Sequence, residues 1–476
     1  MIPFVLVVGP ALAGIVSLLT RDPRRALALL LAVSALHLGL AASLWVAPPV
    51  KSGILGIDPL GLLFVTTTSV IFLAAATYSV PYLLRGTHDA SIPPRRFVAH
   101  LLWFLAAMSL VMLTQHLALM WAAVEATTLT TAPLIYYYRR PQALEATWKY
   151  LLICSVGIAL ALLGVFFLGI ASSAAPGGAR ALTVSGLSAV AAAMPRPWLQ
   201  AAFVLALVGY GTKMGLVPLH TWLPDAHSQA PSPVSALLSG ALLNCAFVAI
   251  ARIYQVCLAS GDAAFARGLL VALGFTSIAV AVAFLIRQGD YKRLLAYSSV
   301  ENMGVACLGL GLGGAATYGA LLQAVNHSIC KAGLFLLAGN VLREYGTTSV
   351  EAVRGVWRRL PLSGALITAL LLAIGGSPPF GPFWSKFIIF RAALDGPDAW
   401  LGVGFAVLTG LAFLGMASTL LPMLQGGEPR PGRAEGVLTV VAPLALAGAA
   451  LGLGVALPPA LADMLRRAAA TIGGAP

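Results

Sequence analysis

The chain has 476 residues, of which 59% are hydrophobic and only 9% charged, and its mean hydropathy is +0.91. A soluble domain carries about 25% charged residues, so an ordinary globular protein is excluded. The formal charge of +13 does not arise from a basic patch. The lysines and arginines are spread over alternate loops, which speaks against a nucleic-acid partner and suits a chain that must fix its orientation in a lipid bilayer.

Apolar runs of about 20 residues, enough to cross roughly 30 Å of hydrocarbon, recur from end to end. The first, MIPFVLVVGPALAGIVSLLT, has no basic residue ahead of it and Arg21, Arg24 and Arg25 behind it. That is the reverse of a signal peptide, so a retained span is expected. The pattern predicts an all-α polytopic membrane protein of about fourteen spans. They fall near 2–19, 26–47, 58–84, 97–113, 115–138, 146–171, 198–219, 232–257, 266–287, 293–313, 317–342, 360–391, 400–424 and 437–458. Helices are expected because they satisfy their own backbone groups in lipid.

The odd-numbered loops hold seventeen basic residues: Arg21, Arg24, Arg25, Arg85, Arg95, Arg96, Arg139, Arg140, Arg287, Lys292, Arg293, Arg343, Arg354, Arg358, Arg359, Arg430 and Arg433. The even loops and the tail hold seven: Lys51, Arg180, Arg196, Arg267, Arg391, Arg466 and Arg467. The odd loops are therefore expected in the cytoplasm and both termini in the periplasm of a bacterial inner membrane. One missed span would scramble this asymmetry.

Two spans are interrupted. The seventh runs GYGTKMGLVPLHTWLPDAHSQAPSP, and the twelfth contains GGSPPFGPFWSKF. Proline removes a donor and clashes with the preceding turn, so each helix should break there. Broken helices at membrane depth are tolerated where the backbone is buried or lines a hydrated cavity, and paired breaks point to a transporter built from repeats. The charges repeat too. Glu125 precedes Lys213 by 88 residues and Glu301 precedes Lys386 by 85. Spans 4–8 and 9–13 are read as two repeats, inverted because each holds an odd number of spans. The expected organisation is a three-helix segment at 1–90, repeats at 97–257 and 266–424, and a C-terminal helix and tail at 437–476.

An ionisable group inside hydrocarbon costs at least about 2.5–3.5 kcal/mol on insertion scales, and such groups face the bundle interior, pair, and mark ion paths. The chain places Glu125, Lys213, Glu301, Lys331 and Lys386 there. Lysine suits proton transfer because its compact ammonium gives up a proton when desolvated and holds it beside a carboxylate. His327 and Lys331 share a helix face, between the two Glu–Lys modules. Other readings stand beside these. Glu125 could pin helix packing through hydrogen bonds, and Lys213 and Lys386 could reach for the interface. Lys149 fits that snorkelling role nearly as well as a functional one, and for Arg252 the structural reading is the stronger. His220 and His227 could hold the broken backbone or relay protons. His37, His88 and His100 read as ordinary loop or helix-end residues. Cys154, Cys245, Cys257, Cys307 and Cys330 read as small buried hydrophobes. No Cys/His cluster has metal-ligand spacing, no phosphate loop is present, and no cofactor is expected.

The stretch TKMGLVPLHTWLPDAHSQAPSPVSALLSG resembles the antiporter-like membrane subunits of complex I, multisubunit cation/proton antiporters and group 4 hydrogenases. DYKRLLAYSSVENMG, VNHSICKAGLFLLAGNV and PPFGPFWSKF match the same family, over roughly residues 55–425. Their combination is most similar to the F subunits of hydrogenase 4 and formate hydrogenlyase. The resemblance implies fourteen helices, two inverted five-helix repeats and a hydrated polar axis. It places the family's helix-5 glutamate at Glu125, its broken-helix lysine at Lys213, its connecting histidine and lysine at His327 and Lys331, and its exit-side lysine at Lys386. Where many relatives carry Lys or His in helix 8, this chain has Asn244, or Ser239 on another alignment. Glu301 fits the hydrogenase branch.

The resulting expectation is a proton-translocating membrane subunit of a hydrogenase-like or complex I-like respiratory complex, with no redox chemistry of its own. Its partners would be the other membrane and peripheral subunits. An Mrp-type Na⁺/H⁺ antiporter subunit, or a non-conducting scaffold of an energy-coupled complex such as one for inorganic-carbon uptake, are the alternatives.

Overall fold

The computed structural model describes residues 1–46, 55–84, 92–177, 182–426 and 435–474. Lys51, Arg85, His88, Arg180, Arg430 and Arg433 lie outside them. Helices account for nearly all of it, and among the described residues there is no β-strand, only three isolated bridges. Three helices open the chain: α1 (Ile2–Leu19), α2 (Pro23–Ser43) and α3 (Pro59–Leu84). Then follow α4 (Pro94–Leu113), α5 (Leu117–Ile135), α6 (Pro141–Ser173), a short α7 (Val184–Val190), α8 (Arg196–Met214), α9 (Trp222–Gln229), α10 (Ser232–Leu237) and α11 (Leu243–Ala259). The later part comprises α12 (Ala263–Leu285), α13 (Tyr291–Leu312), α14 (Ala315–Tyr345), α15 (Val356–Arg359), α16 (Pro361–Gly375), α17 (Gly381–Leu394) and α18 (Trp400–Leu424), closed by α19 (Val437–Val455) and α20 (Pro459–Thr471).

Among the described residues eleven helical stretches are long and apolar enough to cross a membrane. The other three expected spans coincide with α8, α13 and the pair α16/α17. These carry Lys213, Glu301 and Lys386 respectively. They are the segments whose apolar character is diluted by charge or divided by a break.

Both expected breaks are present, and each begins with a left-handed glycine. Gly215 (φ +82°) caps α8 and Gly376 (φ +91°) caps α16, a conformation that only glycine takes freely. The two lysines stand on opposite sides of their breaks: Lys213 in the last turn of α8, Lys386 in the helix after the gap. A third irregularity was not legible in the sequence. A π turn at Leu238–Leu242 joins α10 to α11, and such turns recur at functional sites.

Small residues set the closeness of the packing, as is usual where lipid supplies no drive for helix association. A Cβ on Gly209 of α8 would lie 2.5 Å from the carbonyl oxygen of Gly157 in α6. The two backbones touch there, which brings the end of α8 against α5 and α6. The centre of the bundle is α14, whose membrane-length segment is fully buried, as is the α10–α11 segment. By contrast α1, α6 and α19 expose rows of large apolar side chains such as Leu12, Leu152 and Leu444, the surface a bilayer would cover. The tail forms an additional amphipathic helix, α20, which buries Leu465, Ala468 and Ala469 and packs on α3 and α14.

Candidate functional site

Three hydrogen-bonded clusters of buried and half-buried polar side chains run through the bundle. The first lies between α5, α6 and α8. Lys213 is fully buried, and its ammonium donates to the Thr128 hydroxyl at 2.8 Å and to the Tyr150 hydroxyl at 2.7 Å. Thr128 in turn donates to a Glu125 carboxylate oxygen at 3.2 Å, and Ser155 donates to the other at 3.1 Å. The expected Glu125–Lys213 pair is thus not a direct contact: one threonine hydroxyl stands between the charges. A hydroxyl both accepts and donates, so it can hand a proton from one to the other. Tyr150 is held by Thr131 at 2.7 Å, and the Lys213 ammonium lies 4.5 Å from the centre of its ring, a cation–π distance. Trp222, just past the break, donates to the Thr212 carbonyl at 2.8 Å, a second donor beside the Gly215 N–H on a carbonyl of the last turn of α8.

The second cluster is built on the π turn. His327 of α14 contacts the Ser239 carbonyl through Nε2 at 3.3 Å. Because a carbonyl only accepts, this places the proton on Nε2, and the buried Nδ1 has no partner. The Ser239 hydroxyl bonds to Ser299 of α13 at 2.8 Å. Ser299 donates to the Leu295 carbonyl at 3.1 Å, and Lys331 donates to that same carbonyl at 2.8 Å. Asn244 donates to Ser328 at 2.6 Å and to the Gly240 carbonyl at 3.1 Å, and its own oxygen is unpartnered. Of the two candidates for the joint between the halves, Asn244 therefore faces α14, while the Ser239 hydroxyl faces α13 and its carbonyl meets α14.

The third cluster contains a direct ion pair. Lys386 donates to Glu301 at 3.1 Å and to the Ile374 carbonyl at 3.1 Å, an acceptor left open at the end of α16. Asn302 donates to Glu301, Gln323 donates to Asn302 at 2.7 Å, and Ser385 donates to Gln323 at 2.5 Å. No hydrogen bond between described side chains joins the three clusters. The buried, unpartnered Asn244 Oδ1, Asn326 Oδ1, His327 Nδ1 and Ser298 Oγ lie in or beside the second and third clusters. Such atoms are the usual partners of internal water.

The remaining candidates are placed elsewhere. His227 in α9 is fully buried and stacks on Phe335 with 4.8 Å between ring centres, and neither nitrogen has a partner. Close by in α13 is Lys292, a residue that its loop position did not mark out. It is buried and donates to the Ala230 carbonyl at 2.7 Å and the Ser228 carbonyl at 3.2 Å, closing the end of α9. His220 bonds the Pro218 carbonyl at 3.3 Å in the gap between α8 and α9, and its ring packs beside those of Phe284 and Tyr297. Lys149 is half-exposed and pairs with Glu145 at 2.6 Å and with Asp225 at 3.1 Å, while Asp225 also binds Arg293 at 2.5 Å. Arg252 is fully buried and donates to the Val111, Met112 and Thr114 carbonyls at the end of α4 and to Asp58 at 3.1 Å, which is helix capping by a side chain. His37 is not at a helix end: it sits within α2 and bonds Ser69 at 2.8 Å, Ser109 at 2.9 Å and the Leu6 carbonyl at 3.2 Å. His100 lies in the second turn of α4. All five cysteines are buried and free.

Residues 114–412 match the family described as NADH:quinone oxidoreductase/Mrp antiporter, transmembrane. The chain belongs to this family. Among relatives of this antiporter-like chain, a hydrogenase-4 component F homolog of Methylacidiphilum infernorum is 36% identical over 385 residues, covering 79% of each chain. An NADH-quinone oxidoreductase subunit N of Desulforudis audaxviator is 33% identical over 369 residues, covering 76% of this chain and 71% of that one. A chain of the Mrp complex from a Dietzia species superposes with a TM-score of 0.88 at 22% identity, covering 99% of this chain and 97% of that one. A chain of respiratory complex I from Thermus thermophilus gives 0.83 at 24% identity over the whole of both. At these identities the superpositions speak for the fold alone.

Proposed function

We propose that this antiporter-like chain is the proton-translocating membrane subunit of a hydrogenase-like or complex I-like respiratory complex in a bacterial inner membrane. The observation that carries the reading is the row of ammonium and carboxylate groups, Lys213, Lys331, Lys386 and Glu301 buried and Glu125 half-buried, set in three polar clusters with unpartnered polar atoms beside them. Groups that costly to bury in a bilayer are kept where they move charge. Water at the unpartnered atoms of Asn244 and His327 would join the clusters. The arrangement is read as fourteen crossings with the odd loops in the cytoplasm, and as two inverted units, 97–257 and 266–424, flanked by 1–90 and 437–476.

In this reading the two halves stand in different states. Lys386 is paired directly with Glu301, whereas Lys213 is held off Glu125 by Thr128 and Tyr150. A proton passes when Lys213 closes on Glu125 or withdraws to Tyr150, and the energy for that shift comes from redox subunits of the complex. Buried His227 and Lys292 mark a branch from the side of Asp225 toward Lys331. The test is Lys213→Ala and Glu125→Ala in the native complex. Assembly and electron transfer should persist while proton translocation per turnover falls to that of a complex lacking this subunit's path. Unchanged stoichiometry would defeat the assignment.

A further inference from the structure

A crevice of about 310 Å³, apart from the polar axis, is lined by Ile92, Arg96 and His100 of α4 and its approach and by Pro133, Tyr136 and Arg139 at the end of α5. We propose that it binds a phosphate group, and that the phosphate belongs to an anionic phospholipid.

Its charge favours an anion. Arg96 and Arg139 are exposed and neither has a carboxylate within ion-pair distance among the described residues. The guanidinium forks match phosphate oxygens in geometry as well as charge. The Nδ1 of His100 is buried without a partner.

The depth of the crevice points to a lipid. It sits at the run Tyr136, Tyr137, Tyr138, Arg139, Arg140; tyrosines gather at the level of the headgroups, and arginines lie just beyond. Basic pockets between helices at this level are where lipid headgroups are held. One turn back from Pro133 on the same face of α5, Leu129 is 61% exposed. The first turn from the crevice toward the bilayer centre is therefore apolar, as the start of an acyl chain requires and a free ion does not.

The full-length chain, purified into phosphatidylcholine nanodiscs with increasing phosphatidylglycerol, should retain one more phosphatidylglycerol in native mass spectrometry than the Arg96→Gln/Arg139→Gln variant. Loss of two interfacial arginines should weaken that retention about thirtyfold, and the Arg96→Lys/Arg139→Lys variant should recover most of it. If inorganic phosphate at 10 mM displaces the lipid, the site binds phosphate but the free ion is its occupant, and the lipid assignment falls. Equal retention by wild type and the Gln variant overturns the proposal altogether. A second measurement needs no variant: phosphatidylglycerol carrying a headgroup diazirine should crosslink at Ile92–Tyr136 in wild type. Labelling spread over other helix ends, or replaced by a crosslink to a neighbouring subunit, contradicts it.

Discussion

At Lys213 the decisive neighbours are uncharged. The ammonium is shared between the Thr128 and Tyr150 hydroxyls, so the distance to Glu125 is spanned by one side chain that can rotate. Thr128→Val keeps the shape and removes the hydroxyl; proton translocation per turnover should drop at least tenfold, and Thr128→Ser should restore it. A hydrogen bond to a charged group is worth about 1.5–3 kcal/mol, so Tyr150→Phe should release Lys213 toward Glu125 and change the pH profile of pumping while the complex still assembles. Arg252 belongs to a different class. Arg252→Ala leaves the end of α4 without its donors and Asp58 without its ion-pair partner, and should cost about 3 kcal/mol, read as a lower unfolding temperature in detergent with pumping per surviving complex unchanged. The charged members of the site were legible because a charge inside an apolar run is conspicuous. Thr128, Ser299 and Tyr150 were not: a threonine or serine hydroxyl on a helix can bond its own backbone, nothing in the sequence separates those that do from those that reach across, and a tyrosine in an apolar run reads as one more aromatic. Lys292 was missed for the opposite reason, since one turn of helix separates a loop cation from a buried one.

Among the elements, the breaks were readable from the proline-rich runs around Pro218 and Pro224 and around Pro378 and Pro379, because few other structures suit such residues in a span. The π turn at Leu238–Leu242 has no such signature: SGAL is ordinary helix sequence, and the turn shows only in the tertiary structure, where α3 and α14 pack against it. The tail helix α20 escaped because it alternates apolar and charged residues and has no long apolar run. The contact between α6 and α8 gives a prediction at this scale. Gly209→Val places atoms where the Gly157 carbonyl stands, 2.5 Å from the added Cβ, so the helices must separate. The expected cost is about 1–3 kcal/mol, measured by thermal unfolding, together with slower pumping as Lys213 moves from Tyr150. An unchanged unfolding temperature would show that α6 and α8 do not meet so closely.

For the whole molecule, the basic residues divide so unevenly between alternate loops that orientation can be tested directly. Because all five native cysteines are buried, single cysteines introduced at Ser349 and Gly261 report on opposite sides with little background. A membrane-impermeant maleimide applied to whole spheroplasts should label Gly261→Cys and leave Ser349→Cys unreacted until the membrane is opened. The reverse pattern would invert the proposed orientation. The same global view makes Lys331 the most informative position, since it lies on the fully buried α14 between the Glu125/Lys213 and Glu301/Lys386 clusters. The measurement is the number of protons translocated per electron pair by the native complex in proteoliposomes, wild type against Lys331→Met. A continuous axis predicts that the variant assembles, transfers electrons, and loses this subunit's protons as completely as Lys213→Ala does. Full stoichiometry in Lys331→Met would contradict it, and would mean that protons do not cross the bundle through its centre.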